Sequence, residues 1–199
     1  MEEGQLNIVK LEHLSNEAFR IALEHGWHDE LLSEKHYLGL VMTEVAEAIE
    51  ADRHGKRADT DTMAHIMKTQ AEGGIGLTNG WYETWYGMYY NEYVKGSIEE
   101  EFADIVIRLL DMAICVHGDK MKWLGNYPCG SVYSEKNSFI ENAWFFVHDV
   151  LNWGTMDISD CVSFMLDWAQ DLGIDLWQHI EWKKKFNELR PYKHGGKKY

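Results

Sequence analysis

The sequence predicts an all-α fold, a helix bundle. Only two prolines, Pro128 and Pro191, occur in 199 residues. The apolar–polar alternation of half-buried strands is scarce, while apolar spacings of three and four recur throughout. Residues 6–25 read as a first helix with Leu11, Leu14, Ala18, Ile21 and Ala22 on one stripe, closed by Gly26. A second helix starts after Ser33 and ends near Gly55. The polar, Gly-rich stretch from Lys56 to Gly80 reads as loop around one short helix, and an unusually aromatic segment, WYETWYGMYYNEY, follows. A third helix spans about 97–117, with Ser97 and Glu100 as a capping box and Phe102, Ile105, Leu109, Met112 and Val116 as its seam. Residues 118–133 read as a loop, with Gly125, Pro128 and Gly130. Residues 134–152 read as an amphipathic helix with Phe139, Ala143, Phe146, Val147, Val150 and Leu151 on one face. Ser159 is placed to cap a helix ending at Gly173, and Asp175 to cap the last, which Pro191 stops. No internal repeat stands out, and the length fits one domain over 1–199.

Lys plus Arg number 19 against 33 Asp plus Glu, a net charge of −14. Such a field repels polyphosphate backbones and anionic membrane surfaces, which argues against a nucleic-acid polymer or a membrane as partner. No apolar run approaches the roughly 20 residues of a bilayer span. The acidic start MEEGQLNIVK lacks the features of a secretory leader, and the three cysteines (Cys115, Cys129, Cys161) are too few and scattered for a disulfide framework or a thiolate zinc site. A cytoplasmic protein with reduced thiols is expected.

Chemistry concentrates in two places. Glu44 and Glu47 lie three apart on the second helix, as do Glu101 and Asp104 on the third. That spacing puts each pair on one helix face. Their neighbours are apolar (Val41, Val45, Ala48; Phe102, Ile105, Val106), so neither stretch is a purely solvated face. Side by side, the two helices would converge four carboxylates, which calls for protonation or a hard cation such as Mg²⁺. Arg108 and Asp111 continue the stripe and are expected to pair along the helix surface, Arg108 with Asp104 or Asp111. The second place is the C-terminal KKKFNELRPYKHGGKKY, seven Lys or Arg against one Glu. Lys184, Asn187 and Arg190 recur at spacing three, with Lys197 beyond them on a Gly-rich backbone suited to closing over an anion. Basic residues near a helix C-terminus also offset its dipole, but beside an acidic cluster a cation-plus-phosphate site is the better account.

These segments resemble the MazG-like all-α nucleoside triphosphate pyrophosphohydrolases. LGLVMTEVAEAIEADRHGK is similar to that family's first motif helix, IEEEFADIVIRLLDMA to its second, LGIDLWQHIEWKKKFNELRPYKHGGKKY to its terminal segment, and HGW at 25–27 to the end of its first helix. The resemblance implies hydrolysis of a (d)NTP to (d)NMP and pyrophosphate, and assembly as a homodimer or homotetramer. It also implies that Glu44, Glu47, Glu101 and Asp104 hold Mg²⁺ (or Mn²⁺), while Lys184, Asn187 and Arg190 meet the triphosphate. The chain departs from compact members in two extra stretches, about 57–96 and 118–160. The expected chemistry is attack of a metal-activated water at the α-phosphate, with Glu44 or Glu47 as base. His25, Trp27, Trp81 and Trp85 are candidate base contacts, although aromatic rings at helical spacing more often pack on the bundle. A di-iron carboxylate bundle is disfavoured, because no histidine has a Glu three residues before it. A non-catalytic nucleotide-binding module is the remaining alternative.

Overall fold

A computed structural model describes residues 3–30, 32–73, 79–118, 133–150 and 158–196, with the backbone alone for 3–9, 71–73, 79–83, 117 and 149–150. The fold is all-α, and no strand occurs among the described residues. In chain order the helices are α1 (Glu3–Glu24), α2 (Glu34–Arg53), α3 (Thr60–Gly73), α4 (Asn79–Tyr93), α5 (Ile98–His117), α6 (Phe139–Phe145), a π-helical turn (Phe146–Val150), α7 (Ile158–Asp171) and α8 (Leu176–Glu188). A short turn, Lys193–Gly196, closes the described chain. None of the described helices is long and apolar enough to cross a membrane.

Helix α5 is the axis, with α1, α2, α7 and α8 all packed on it. Its start is well specified. Ser97 Oγ accepts from the Glu100 amide at 3.2 Å, and Glu99, Glu100 and Glu101 oppose the helix dipole in the first turn. Phe102, Ile105, Leu109 and Met112 are fully buried as the seam requires, but so are Ala103, Val106, Leu110 and Ala113. The seam is therefore a broad face, and Val116 at the helix end is exposed. Phe102 packs against Trp168 of α7 with ring centroids 4.7 Å apart, in the middle of the main core. Ser97→Ala is expected to lower stability by about 1 kcal/mol, measured by chemical denaturation, because one first-turn amide loses its acceptor.

Other element ends differ from expectation in instructive ways. The Lys56–Gly80 stretch holds the fourteen-residue α3, not merely a short helix. Helix α3 and the aromatic α4 form a hairpin with its own small core on α8, made by Met63, Tyr86, Tyr90, Val94, Trp182 and Phe186. Tyr90 stacks on Phe186 at 4.3 Å, and the Tyr86 hydroxyl donates to the Trp182 carbonyl at 2.7 Å. Helix α6 begins at Phe139 rather than 134, because the Glu141 carboxylate accepts from the Ser138 amide (2.8 Å) and fixes the start there. Ser159 lies inside α7 instead of capping it: Ile158 before it is already helical and buried in the core. Asp175 does cap α8, its Oδ1 accepting from the Gln178 amide at 3.1 Å. The expected 118–133 loop beyond Gly118, with Gly125, Pro128, Cys129 and Gly130, lies outside the described residues, as does Leu151.

Candidate active site

Helix α2 presents Tyr37, Val41, Glu44, Val45 and Ala48 as its buried face, so Glu44 is carried into the interface with α5. There its carboxylate meets those of Glu101 and Asp104, the three ligand oxygens lying within 4.8 Å of one another. Glu44 and Glu101 are 5% and 4% exposed. Glu47 lines the same cavity but is exposed, because three residues of helix turn it about 60° from Glu44, to the rim. The expected quartet is therefore three converged carboxylates with a fourth at the mouth.

The bases around them differ from the expected surface pairs. Arg108 does not pair along α5. It reaches across to α2, with Nε and Nη2 each 2.6 Å from Glu44 Oε1. Asp111 instead accepts from His28 at 2.8 Å. A pair along the helix surface contributes only tenths of a kcal/mol, whereas a buried Glu44 without a partner would cost several times more. Lys183, unremarked in the basic run, is buried with Nζ 2.5 Å from Glu100 and 2.6 Å from Asp104. Its signal was its register: Leu176, Ile180 and Lys183 share the buried side of α8.

The Glu101 carboxylate forms no hydrogen bond or ion pair among the described residues. Burial, then the charges of Asp104 and Glu100, push its pKa up to about 9. Glu44 is also shifted upward, by burial and Asp104, with Arg108 opposing. For Lys183 burial acts downward, but the charges of Asp104 and Glu100 outweigh it and hold the ammonium above its ordinary value. A buried carboxylate that lacks a donor must be protonated or face a cation. The all-oxygen donor set fits a hard divalent ion, Mg²⁺ or Mn²⁺.

The cavity encloses about 280 Å³, at the small end for a ligand pocket. Besides the acids it is lined by Lys183, Lys184, Asn187 and Arg190, and by Lys95 ahead of α5. Lys184 is already tied to Glu17 and, at 2.9 Å, to Glu181. Arg190 has no ion pair among the described residues; its guanidinium lies 5.8 Å from the Phe186 ring centre. Burial lowers its pKa, against the pull of Asp104 and Glu100. Asn187 Oδ1 is buried without a hydrogen-bond partner. Lys197 lies outside the described residues.

The cavity lining also has an apolar part, with Ile21, Leu32, Leu40 and Ile107. His25 and Trp27, the candidate base contacts, line the cavity, and Trp27 meets His194 edge-on at 5.0 Å. The C-terminal turn is pinned here. The Lys193 amide donates to the His25 carbonyl at 2.9 Å, and the Tyr192 ring covers Gly26. Gly26 has φ +77°, and a Cβ there would stand 2.3 Å from the Tyr192 ring, so only glycine suits both the helix end and the close approach. Trp85 is not part of the cavity. It packs edge-on against Tyr89 at 5.0 Å, beside the small aromatic core, away from the cavity with the carboxylates. The side chain of Trp81 lies outside the described residues. Sequence reasoning missed Lys183 and Lys95, and took Glu100 only as a helix cap. No protein-family model, curated protein or solved structure matches the chain.

Proposed function

We propose that the protein is a Mg²⁺-dependent nucleoside triphosphate pyrophosphohydrolase of the MazG-like kind, cleaving a (d)NTP to (d)NMP and pyrophosphate. The observation that carries this reading is the buried, donor-less Glu101 carboxylate beside Glu44 and Asp104, in the wall of one cavity that Arg190 and Lys95 also line. Glu44, Glu101 and Asp104 would hold the ion, with Glu47 completing the set from the rim. Bound there, Mg²⁺ (or Mn²⁺) would neutralise phosphate oxygens and lower the pKa of a water. Arg190 offers a planar fork to the phosphates, and Lys95 a mobile charge. The apolar part of the lining, with Trp27, suits a base. Glu47, exposed and without an ion pair among the described residues, is positioned to take the proton of the attacking water. The family resemblance adds assembly as a homodimer or homotetramer to the same proposal.

The test is a Mg²⁺ assay over ribo- and deoxyribonucleoside triphosphates with product identification. Pyrophosphate release that is abolished in Glu47→Gln supports the reading; release of inorganic phosphate rejects it. Arg190→Ala is expected to raise KM for the triphosphate about 10- to 100-fold, the equivalent of one hydrogen-bonded charge contact. An unchanged KM would remove Arg190 from the phosphate site. A non-catalytic nucleotide-binding module is the second reading, favoured by Arg108 and Lys183 each already neutralising an acid of the cluster. Nucleotide binding with no turnover would decide for it.

A further inference from the structure

We propose that His28, Asp111 and Cys115 form a separate site for a borderline-soft transition ion, Zn²⁺ or a chemical equivalent. The three cysteines are too scattered in sequence for a thiolate cluster, but the fold supplies the missing ligands from elsewhere. Asp111 and Cys115 lie four apart on one face of α5, and His28 reaches them from the α1–α2 connection. One donor atom of each lies within 4.8 Å of the others. His28 Nε2 is 2.8 Å from Asp111 Oδ1, and Cys115 Sγ is 3.5 Å from His28 Nε2 and 3.8 Å from Asp111 Oδ1. A tetrahedral ion with Zn–N and Zn–O bonds of about 2.0 Å and a Zn–S bond of about 2.3 Å sets its ligands roughly 3.3–3.5 Å apart. The three side chains already approximate that triangle: the His28–Asp111 edge must open by about half an ångström and the Cys115–Asp111 edge close by about 0.3 Å.

The surroundings favour an ion over a nucleophilic thiol. In a Cys–His–Asp nucleophile the thiol and the acid engage opposite ring nitrogens. Here Asp111 takes Nε2 and the Tyr37 hydroxyl stands 3.3 Å from Nδ1, while Cys115 Sγ is 3.5 Å from both ring nitrogens and so lines up with neither as an acid–base pair. Tyr37 thus occupies the position of the outer partner that fixes the tautomer of a metal-bound imidazole, leaving Nε2 for the ion. Phe19 stacks on the ring at 5.0 Å and limits its rotation. The His28 and Asp111 side chains are 9% and 15% exposed, so the site is sheltered without being sealed. Three protein ligands leave a fourth position for water or substrate.

This ion is not the second metal of the carboxylate cluster. Asp111 follows Asp104 by seven residues, about 10 Å along the helix axis, whereas paired catalytic ions stand about 3.5–4 Å apart. The donor sets also sort the ions: all oxygen at the first site, nitrogen, sulfur and oxygen at the second. Asp111 and Tyr37 both line the cavity described above, so an ion here would sit at its wall.

The experiment uses the full chain, stripped with chelator and titrated with Co²⁺ alone. One equivalent is expected to give a thiolate-to-cobalt charge-transfer band and tetrahedral d–d bands. Both should vanish in Cys115→Ser, persist in Glu101→Gln, and be displaced by Zn²⁺ but not by Mg²⁺. Absence of the thiolate band, or its persistence in Cys115→Ser, overturns the proposal. A readout on the unaltered chain stands beside it: Zn²⁺ is expected to slow alkylation of Cys115 at least tenfold, read by peptide mass spectrometry. Equal rates with and without Zn²⁺ overturn the proposal equally, and a thiol alkylated rapidly in both conditions would mark a free nucleophile instead. Neither measurement depends on nucleotide hydrolysis.

Discussion

Lys183→Met is expected to destabilise the protein by about 3–5 kcal/mol, seen as a lower denaturation midpoint. Its ammonium stands between Glu100 (2.5 Å) and Asp104 (2.6 Å), and its side chain is 6% exposed. Glu100 has a second anchor in the Gly96 amide, but among the described residues Asp104 has no other ion pair. Methionine keeps most of the volume and the apolar stem near Tyr90 and Phe186, so the loss is one of charge rather than packing. It leaves two carboxylates close together and unneutralised, next to Glu44 and Glu101. The double variant Lys183→Met/Asp104→Asn should therefore recover part of the loss. A coupling energy near zero in this cycle would show that the pair contributes nothing beyond its parts.

Glu101→Gln is expected to have two effects of opposite sign. Mg²⁺-dependent turnover falls by more than about 100-fold, the upper range for losing a mere outer-shell partner of a metal. The metal-free protein becomes more stable at neutral pH, because an isosteric amide replaces a buried carboxyl that has no donor. The pH dependence follows from the pKa, raised from 4.5 to about 9. An acid raised on folding binds its proton more tightly in the folded state. Its favourable contribution is complete below about pH 4.5 and is lost as pH rises towards about 9. Across that window the slope is at most about 1.4 kcal/mol per pH unit. Chemical denaturation of the chelated protein at several pH values should show this decline, and Glu101→Gln should flatten it. Added Mg²⁺ should flatten it as well, by favouring the ionised acid. An identical slope in wild type and variant would show that Glu101 is not the strained group.

Much of this arrangement was legible in the chain. Ser97 and Asp175 cap the helices they were expected to cap, because a cap is a local pattern of one side chain and one amide. The convergence of Glu44 with Glu101 and Asp104 was legible from acids held at helical spacing among apolar residues. What stayed hidden was everything decided between helices. Arg108 had two acids on its own helix and chose Glu44 on another, since only that pairing relieves a buried charge. Lys183 looked like one of three consecutive lysines until the helix register buried it. The length of α3 was masked by polar composition, because its helix is held by one apolar side packed with α4, not by overall hydrophobicity. Along α5, the residues Glu101, Asp104, Arg108, Asp111 and Cys115 recur at three and four among apolar neighbours beyond the acidic first turn. That stripe ran further than the acid motif, and its end at Cys115 acquires meaning only once His28 is folded against it.

The most direct measurement is hydrolysis of a nucleoside triphosphate with Mg²⁺ in ¹⁸O-labelled water, with the products resolved by mass. A carboxylate-held ion and a water directed at the α-phosphate predict one ¹⁸O in the nucleoside monophosphate and none in the pyrophosphate. Label in pyrophosphate or in inorganic phosphate, or turnover undiminished by chelator and by Glu101→Gln, would contradict it.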